Sequence, residues 1–323
     1  VDSERAQKTI RALEANVRCV ILGKDDRVRL ALLALFARGH LLIEDVPGTG
    51  KTLLARAIAR SLDAKFTRLQ FTPDLLPSDV TGVSVFDPRE LVFKFREGPV
   101  FTEVLLADEV NRATPRAQSA LLESMEERTV SADGVTRALP ELFFVVATQN
   151  PVELQGTFPL PEAQLDRFAL RVELGPPTVE GLVEVLAAQQ HRHPFEDLKP
   201  VAKREDLLAV QEAVRNVAFE ASVRRYVAEL SLATRERKDV LLGASARAAL
   251  WLARVAQAQA LSSERRFVVP EDVKAVAHAV LDHRILLEPR ARLSGLTSEA
   301  VVDEALEKTP VPISPALAPP PGP

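Results

Sequence analysis

The run Asp45-Val46-Pro47-Gly48-Thr49-Gly50-Lys51-Thr52, followed by Leu53, has the composition of a phosphate-binding loop. Backbone N–H groups of such a loop, and of the helix that it opens, can surround phosphate oxygens. Lys51 would neutralise β- and γ-phosphate charge, and the Thr52 hydroxyl would ligate Mg2+. The pattern G-x-x-x-x-G-K-[ST] begins with glycine, whereas Asp45 stands first here. A chance Gly-rich turn could carry the same residues. The apolar run before this one and the Ala/Leu-rich helical run after it supply the context that a phosphate loop requires.

About 55 residues further on, Val104-Leu105-Leu106-Ala107 runs straight into Asp108-Glu109. Two acids at the C-terminal end of a buried strand lie where open α/β sheets bind ligands. Asp108 would hold Mg2+ through its water shell, and Glu109 would orient and polarise an attacking water. Alone, the pair equally suits a strand end before a helix cap; the loop at this distance favours catalysis. Thr148-Gln149-Asn150-Pro151 closes the next apolar run, and the Asn150 amide could bond both a γ-phosphate and the lytic water. Asn before Pro is also a common turn, so Asn150 is informative through strand order alone.

These residues need a sheet to hold them. Leu41–Glu44, Phe66–Gln70, Val104–Ala107, Phe143–Thr148 and Ala169–Leu174 are short apolar runs separated by helical or loop sequence, as a parallel sheet with crossover helices requires. Ile10, Leu13, Val17, Val28, Leu32, Leu35 and Phe36 recur at helical spacing with a break near Gly23, and a further helix is expected from Lys51 to about Leu62. After Gly175-Pro176-Pro177 the sequence becomes Ala/Leu/Val/Glu/Arg-rich, with no convincing strand run to about residue 307. The expected fold class is therefore α/β, a five-stranded parallel sheet over residues 1–175, followed by an all-α domain over 176–307. Seven of the 23 prolines fall between Pro310 and Pro323, so residues 308–323 are expected to form a disordered Pro-rich tail.

Composition sets the class. With 323 residues and 46% hydrophobic content the chain can build two cores. Forty-one Lys+Arg against 45 Asp+Glu leave a net charge of −4, with no global attraction to nucleic acid or an anionic membrane. The longest apolar run, Leu30 to Ala37, is far short of the ~20 residues of a membrane span. The opening residues lack the apolar stretch of a signal peptide, and a single cysteine, Cys19, expected to pack on a helix, fits a reducing cytoplasm. His40, His191, His193, His278 and His283 include no H-E-x-x-H pair, which leaves Mg2+ as the expected metal. Arg235-Glu236-Arg237-Lys238 is expected to be a solvated helix face, and single Trp251 and Tyr226 give no ladder for stacking bases.

The loop, the acids and the sensor, in this order, resemble the AAA+ ATPases, and Thr72-Pro73-Asp74-Leu75-Leu76-Pro77-Ser78-Asp79 narrows the resemblance to the MoxR family. Gly98-Pro99-Val100-Phe101, Leu106 to Ala113, Gln118 to Glu126 and Leu160 to Phe168 are similar to MoxR signatures as well, and the resemblance spans residues 10–307. It implies an AAA+ P-loop core with a helical lid. Asp in place of the first loop glycine also occurs in this family. The resemblance makes Arg167 an arginine finger that reaches ATP on a neighbouring subunit, against a plain ion pair with Asp166. Gly243 to Arg247 is similar to the sensor 2 segment, which brings Arg247 towards the γ-phosphate, although Ala246 replaces the usual Pro. Residues 72–99 resemble the helix-2 insert, and residues 128–139, turning at Asp133-Gly134, a pre-sensor hairpin.

The expected activity is Mg2+-dependent ATP hydrolysis in a homo-oligomeric ring, a hexamer by resemblance. Its expected output is chaperone-like remodelling or maturation of a protein client, often one with a von Willebrand factor A domain. A nucleic-acid motor related to MCM helicases is the alternative, disfavoured because Arg128 and Arg137 are the hairpin's only basic residues. A slow ATP-dependent regulatory switch is the other.

Overall fold

The computed structural model describes residues 3–151, 156–190 and 193–312, and the chain divides into residues 1–213 and 214–323. The first unit runs α1 (Ser3–Arg18), α2 (Asp25–Phe36), β1 (Leu41–Glu44), α3 (Lys51–Ser61), β2 (Phe66–Gln70), α4 (Pro77–Thr81), β3 (Gly82–Asp87), β4 (Val92–Glu97), β5 (Val104–Asp108) and α5 (Pro115–Glu127). It continues with β6 (Thr129–Ala132), β7 (Val135–Ala138), β8 (Phe144–Gln149), α6 (Glu162–Leu165), β9 (Leu170–Val172), α7 (Val179–Ala188), α8 (Pro194–Asp197) and most of α9 (Arg204–Arg215).

Five strands pair in parallel in the order β2-β5-β8-β1-β9. Every residue of β5 and β8 is buried, which is why both are apolar up to their C-terminal ends, where Asp108 and Thr148-Gln149 stand, while the edge strand β2 is only half-buried and carries Thr67, Arg68 and Gln70. Leu42, Leu105, Ala107, Val145 and Ala147 share a core with Leu121, Leu122 and Met125 of α5. Each such side chain contributes about 1.5–3 kcal/mol by leaving water. His40, fully buried beside β1, joins the layers: its Nδ1 accepts from Val145 N–H at 3.0 Å and its Nε2 lies 3.2 Å from Met125 O. Because Nδ1 accepts, the ring proton sits on Nε2 and donates to Met125.

Both insertions are hairpins. β3 pairs antiparallel with β4, and β6 with β7. Gly82 and Gly98 close the root of the first: a Cβ on Gly98 would lie 2.4 Å from Gly82 N, and one on Gly82 2.4 Å from Arg96 O. Ser84 donates to Asp133 across the two hairpins, and the Arg137 guanidinium lies 3.9 Å from the centre of the Phe95 ring.

In the first unit three expectations shift. β9 is shorter than Ala169–Leu174 because pairing with β1 ends at Val172. Cys19 falls one residue beyond α1 and is exposed, not packed. The segment after Gly175 does not all leave the first unit. Val201 and Ala202 N–H donate to Ser61 O, Asn16 Nδ2 to Lys199 O and Gln211 Nε2 to Leu35 O, which ties residues 199–211 to α1, α2 and α3.

The second unit contains α10 (Ala221–Ala233), β10 (Val240–Leu242), α11 (Ala246–Ser262), α12 (Pro270–Leu281), β11 (Leu286–Leu287), α13 (Pro289–Leu293) and α14 (Ser298–Lys308). Leu252 and Val255 of α11 and Val273, Val276 and Val280 of α12 are buried. A two-stranded β10-β11 pair interrupts the helices, too short for any sequence periodicity. The Arg235–Lys238 run is not simply solvated: Arg235 Nε donates to Ala244 O, and Arg237 pairs with Glu304 and Asp239. The Pro-rich tail expected from residue 308 lies, for residues 313–323, outside the described residues. No helix among the described residues is long and apolar enough to cross a membrane.

Candidate functional site

The C-terminal ends of β1, β5 and β8 lie side by side in the sheet, so the loop, the acid pair and the sensor segment meet at one edge. Gly48 and Gly50 hold φ of +87° and +98°, with nothing within 4 Å of where a Cβ would stand. Both turns need glycine. Together they curl the loop over the first turn of α3, whose leading N–H groups have no helical acceptor of their own. Lys51 Nζ donates to Asp45 O at 2.6 Å, and Thr49 Oγ1 to Val46 O at 3.3 Å.

Asp45, the departure from the glycine pattern, anchors the start of the loop to the segment after β9. Its Oδ1 accepts from Val46 N–H at 2.8 Å and its Oδ2 from Gly175 N–H at 2.7 Å. Lys24 spans the same gap, donating to Thr49 O at 3.0 Å and Gly175 O at 2.6 Å. Burial pushes the Lys24 pKa down, and the Asp45 carboxylate partly offsets this. Beside this anchor opens a cleft of about 420 Å³ lined by Gly23, Lys24, Leu174, Pro176 and Thr178 among others.

The acids are held by neighbours on both sides. Asp108, only 7% exposed, accepts from Thr148 Oγ1 at 2.6 Å on Oδ1, and from Arg68 Nη2 at 2.7 Å and Nε at 3.1 Å on Oδ2. The Thr148 hydroxyl also accepts from Glu109 N–H at 2.9 Å. Glu109 adopts φ +56°, a left-handed conformation rare for a residue with a side chain. Gln70 Nε2 and Arg112 Nη1 donate to its Oε2 at 2.7 and 3.1 Å. Asn150 is buried just past β8, and its carbonyl accepts from Asn111 Nδ2 at 3.4 Å. Asn111 Oδ1 and Gln149 Nε2 are buried there with no hydrogen-bond partner among the described residues.

The sequence therefore locates the loop, Asp108, Glu109 and Asn150, and the fold brings them together. Arg167 has a different partner: its Nε pairs with Glu126 Oε2 of α5 at 3.0 Å rather than with Asp166, and it makes no hydrogen bond or ion pair to the loop or the acids among the described residues. Arg247 occupies the first turn of α11 in the second unit, behind the cap that Ser245 Oγ makes by accepting from Ala248 N–H at 3.0 Å. Sequence reasoning missed Arg68, Gln70, Arg112, Lys24 and the bridging role of Thr148. Arg68 and Gln70 left one signal, polar residues two apart on a strand of otherwise mixed character.

Residues 40–170 match the family model described as "ATPase family associated with various cellular activities (AAA)", and residues 232–305 the one described as "AAA lid domain". The chain is 47% identical over 298 residues to YeaC of Bacillus subtilis strain 168, covering 92% of this chain and 93% of that protein. It is 38% identical over 305 residues to Chaperone MoxR1 of Mycobacterium tuberculosis, covering 92% and 80%, and 32% identical over 302 residues to the protein MoxR of Methylorubrum extorquens, covering 85% and 87%. A crystal structure of a Cytophaga hutchinsonii protein assigned as an ATPase superposes with a TM-score of 0.90 at 37% identity, covering 96% of this chain and 97% of that one.

Proposed function

This chain belongs to the MoxR family of AAA+ ATPases, and from that membership we propose that it hydrolyses Mg2+-bound ATP to remodel or mature a protein client. The observation that carries the proposal is the Thr148 hydroxyl tying Asp108 to the backbone of Glu109 beside the glycine loop. A buried carboxylate and a hydroxyl at a helix start are hard oxygen donors, the kind Mg2+ takes. Among the described residues no group of three His, Cys, Asp or Glu forms a metal cage, so Thr52 and Asp108 would hold Mg2+ together with phosphate oxygens and water. The ion would supply charge neutralisation at the β- and γ-phosphates.

The chain's own residues do the rest. Loop N–H groups from Gly48 to Leu53 and the Lys51 ammonium receive the phosphates, for which Lys51 gives up Asp45 O. The nucleoside end would enter the cleft lined by Lys24, Leu174 and Pro176, since Lys24 also donates to Thr49 O of the loop. Glu109 accepts a proton from water as the water oxygen bonds the γ-phosphorus and the bond to the ADP oxygen breaks. Asn150 fixes that water and the γ-phosphate, a role that the family resemblance would extend to Arg247.

Arg167 would complete the site of a neighbouring copy, which makes a ring, by family resemblance a hexamer, the working form. The proposed client is a protein with a von Willebrand factor A domain, met in the cytoplasm. Engagement of the hairpin arginines within the protein supports a protein client over a nucleic-acid track: Arg128 donates to Arg38 O and Glu141 O, and Arg137 to Ala132 O and Val135 O.

Two variants test the chemistry. Lys51→Ala should lose nucleotide binding by calorimetry, whereas Glu109→Gln should bind ATP and release at least about 100-fold less phosphate. Wild-type turnover in Glu109→Gln would remove the base from Glu109. Glu109→Gln loaded with ATP should then retain a discrete protein from lysate after nuclease treatment. Nuclease-sensitive nucleic acid in its place would move the motor alternative first, and turnover indifferent to an identified client would favour the switch.

A further inference from the structure

Backbone pairing between the neighbouring strands β1 and β9 ends at Ile43 and Val172, from which the chain leads into the glycine loop on one side and residues 174–178 on the other. Two side chains join the segments where the ladder stops. Asp45 Oδ2 accepts from Gly175 N–H at 2.7 Å and Lys24 Nζ donates to Gly175 O at 2.6 Å, so both backbone groups of one residue are held. The same side chains hold the loop, since Asp45 Oδ1 accepts from Val46 N–H and Lys24 donates to Thr49 O. Asp45 is buried and Lys24 half-buried, which limits the water that competes for these bonds. Leu174 and Pro176, on either side of Gly175, both line the cleft of about 420 Å³. That wall is pinned a second time. A Cβ on Gly23, another lining residue, would lie 3.0 Å from Gly181 Cα on α7, and Gly181 N–H donates to Thr178 Oγ1 at 3.0 Å.

We propose that Lys24 and Asp45 are positioning residues that set the spacing between the phosphate loop and the nucleoside cleft by clasping Gly175 from both sides. A nucleotide must satisfy both ends of the site at once, and a loop already fixed to the cleft wall spares the ordering that a loose one would need on binding. Inorganic tripolyphosphate carries no nucleoside and needs the loop alone. The clasp therefore favours the whole nucleotide over its bare phosphate chain, through spacing and without a contact to the base. The inference rests on the ATPase reading above, with the nucleoside in that cleft.

Two ligands compared by calorimetry, ADP and inorganic tripolyphosphate, each with excess Mg2+, test the spacing without turnover. Lys24→Met keeps most of the stem and removes the ammonium, while the loop retains its glycine turns, Lys51 and the Asp45 contacts. It should weaken ADP by about tenfold, the scale of a hydrogen bond to a charged group, and tripolyphosphate by no more than about twofold. Lys24→Arg can again donate to two carbonyls and should restore ADP to within about threefold of wild type. Equal losses for the two ligands in Lys24→Met would make Lys24 a support of the loop alone or a contact to phosphate, and would overturn the spacing role while the ATPase reading stands. ADP affinity equal to wild type in Lys24→Met would overturn it as well. A wild-type chain that binds no ADP would overturn both.

Discussion

Thr148 lies wholly buried between the two acids and makes a bond to each with a single oxygen, donating to Asp108 Oδ1 and accepting from Glu109 N–H. That N–H belongs to a residue in the left-handed region, so the bond also holds the backbone where Glu109 needs it. Thr148→Val keeps the shape and removes the oxygen. The Asp108 carboxylate then has one donor fewer and the Glu109 N–H has no acceptor, in a place that water barely reaches. Such orphaned groups cost about 1–3 kcal/mol each, so we expect Thr148→Val to lose at least about 1 kcal/mol of unfolding free energy in urea. ATP turnover should fall with it, because Glu109 would drift from its position. Unchanged stability would mean that the hydroxyl is not what holds the acid pair.

At the scale of elements, His40 ties β1 to β8 and α5 as a neutral ring. Burial pushes its pKa down from the ordinary 6.5 to about 3, with the nearby Arg128 charge acting in the same direction and the bond to Met125 O opposing them. The unfolded chain therefore binds a proton between pH 6.5 and about 3 that the folded chain refuses, and stability falls as pH drops through that window. The slope from this residue is about 1.4 kcal/mol per pH unit below 6.5. Urea unfolding at pH 7.5 and pH 5.5 should show the loss in wild type and a smaller one in His40→Gln. The hairpin root gives a second test. Gly98→Ala would set a Cβ against the Gly82 backbone, so hydrogen exchange should rise across β3 and β4 while β5 and β8 stay protected. These elements differ in how far the sequence discloses them. β5 and β8 are legible because burial on both faces demands apolar sequence up to their C-terminal ends, and the loop because its glycines and lysine have few other uses. Arg68 and Gln70 are not, because their role depends on the register that sets β2 against β5. The attachment of residues 199–211 to the first unit is equally hidden: its acceptors are backbone carbonyls of Ser61, Leu35 and Lys199, which carry no sequence signal of their own.

For the whole molecule the deciding residue is Arg167. It belongs to a segment that resembles the family's finger, yet in its own chain it pairs with Glu126 and makes no hydrogen bond or ion pair to the glycine loop or the acids among the described residues. If it serves hydrolysis, the nucleotide that it serves sits on another copy, and each active site is shared across a head-to-tail contact of the kind that closes rings. Mixing follows from this geometry. Arg167→Ala subunits keep a whole loop and acid pair but offer no finger; Lys51→Ala subunits offer a finger but hold no nucleotide. Each assembly alone should be nearly inactive. Random one-to-one mixing places an intact loop against an intact finger at roughly a quarter of head-to-tail interfaces, so phosphate release should recover towards that fraction of wild type. Native mass spectrometry of the mixture must show hybrid rings for the comparison to count. Recovery in hybrid rings would fix the finger in trans and make assembly a condition of catalysis. Hybrid rings without recovery would leave Arg167 as a structural partner of Glu126 on α5.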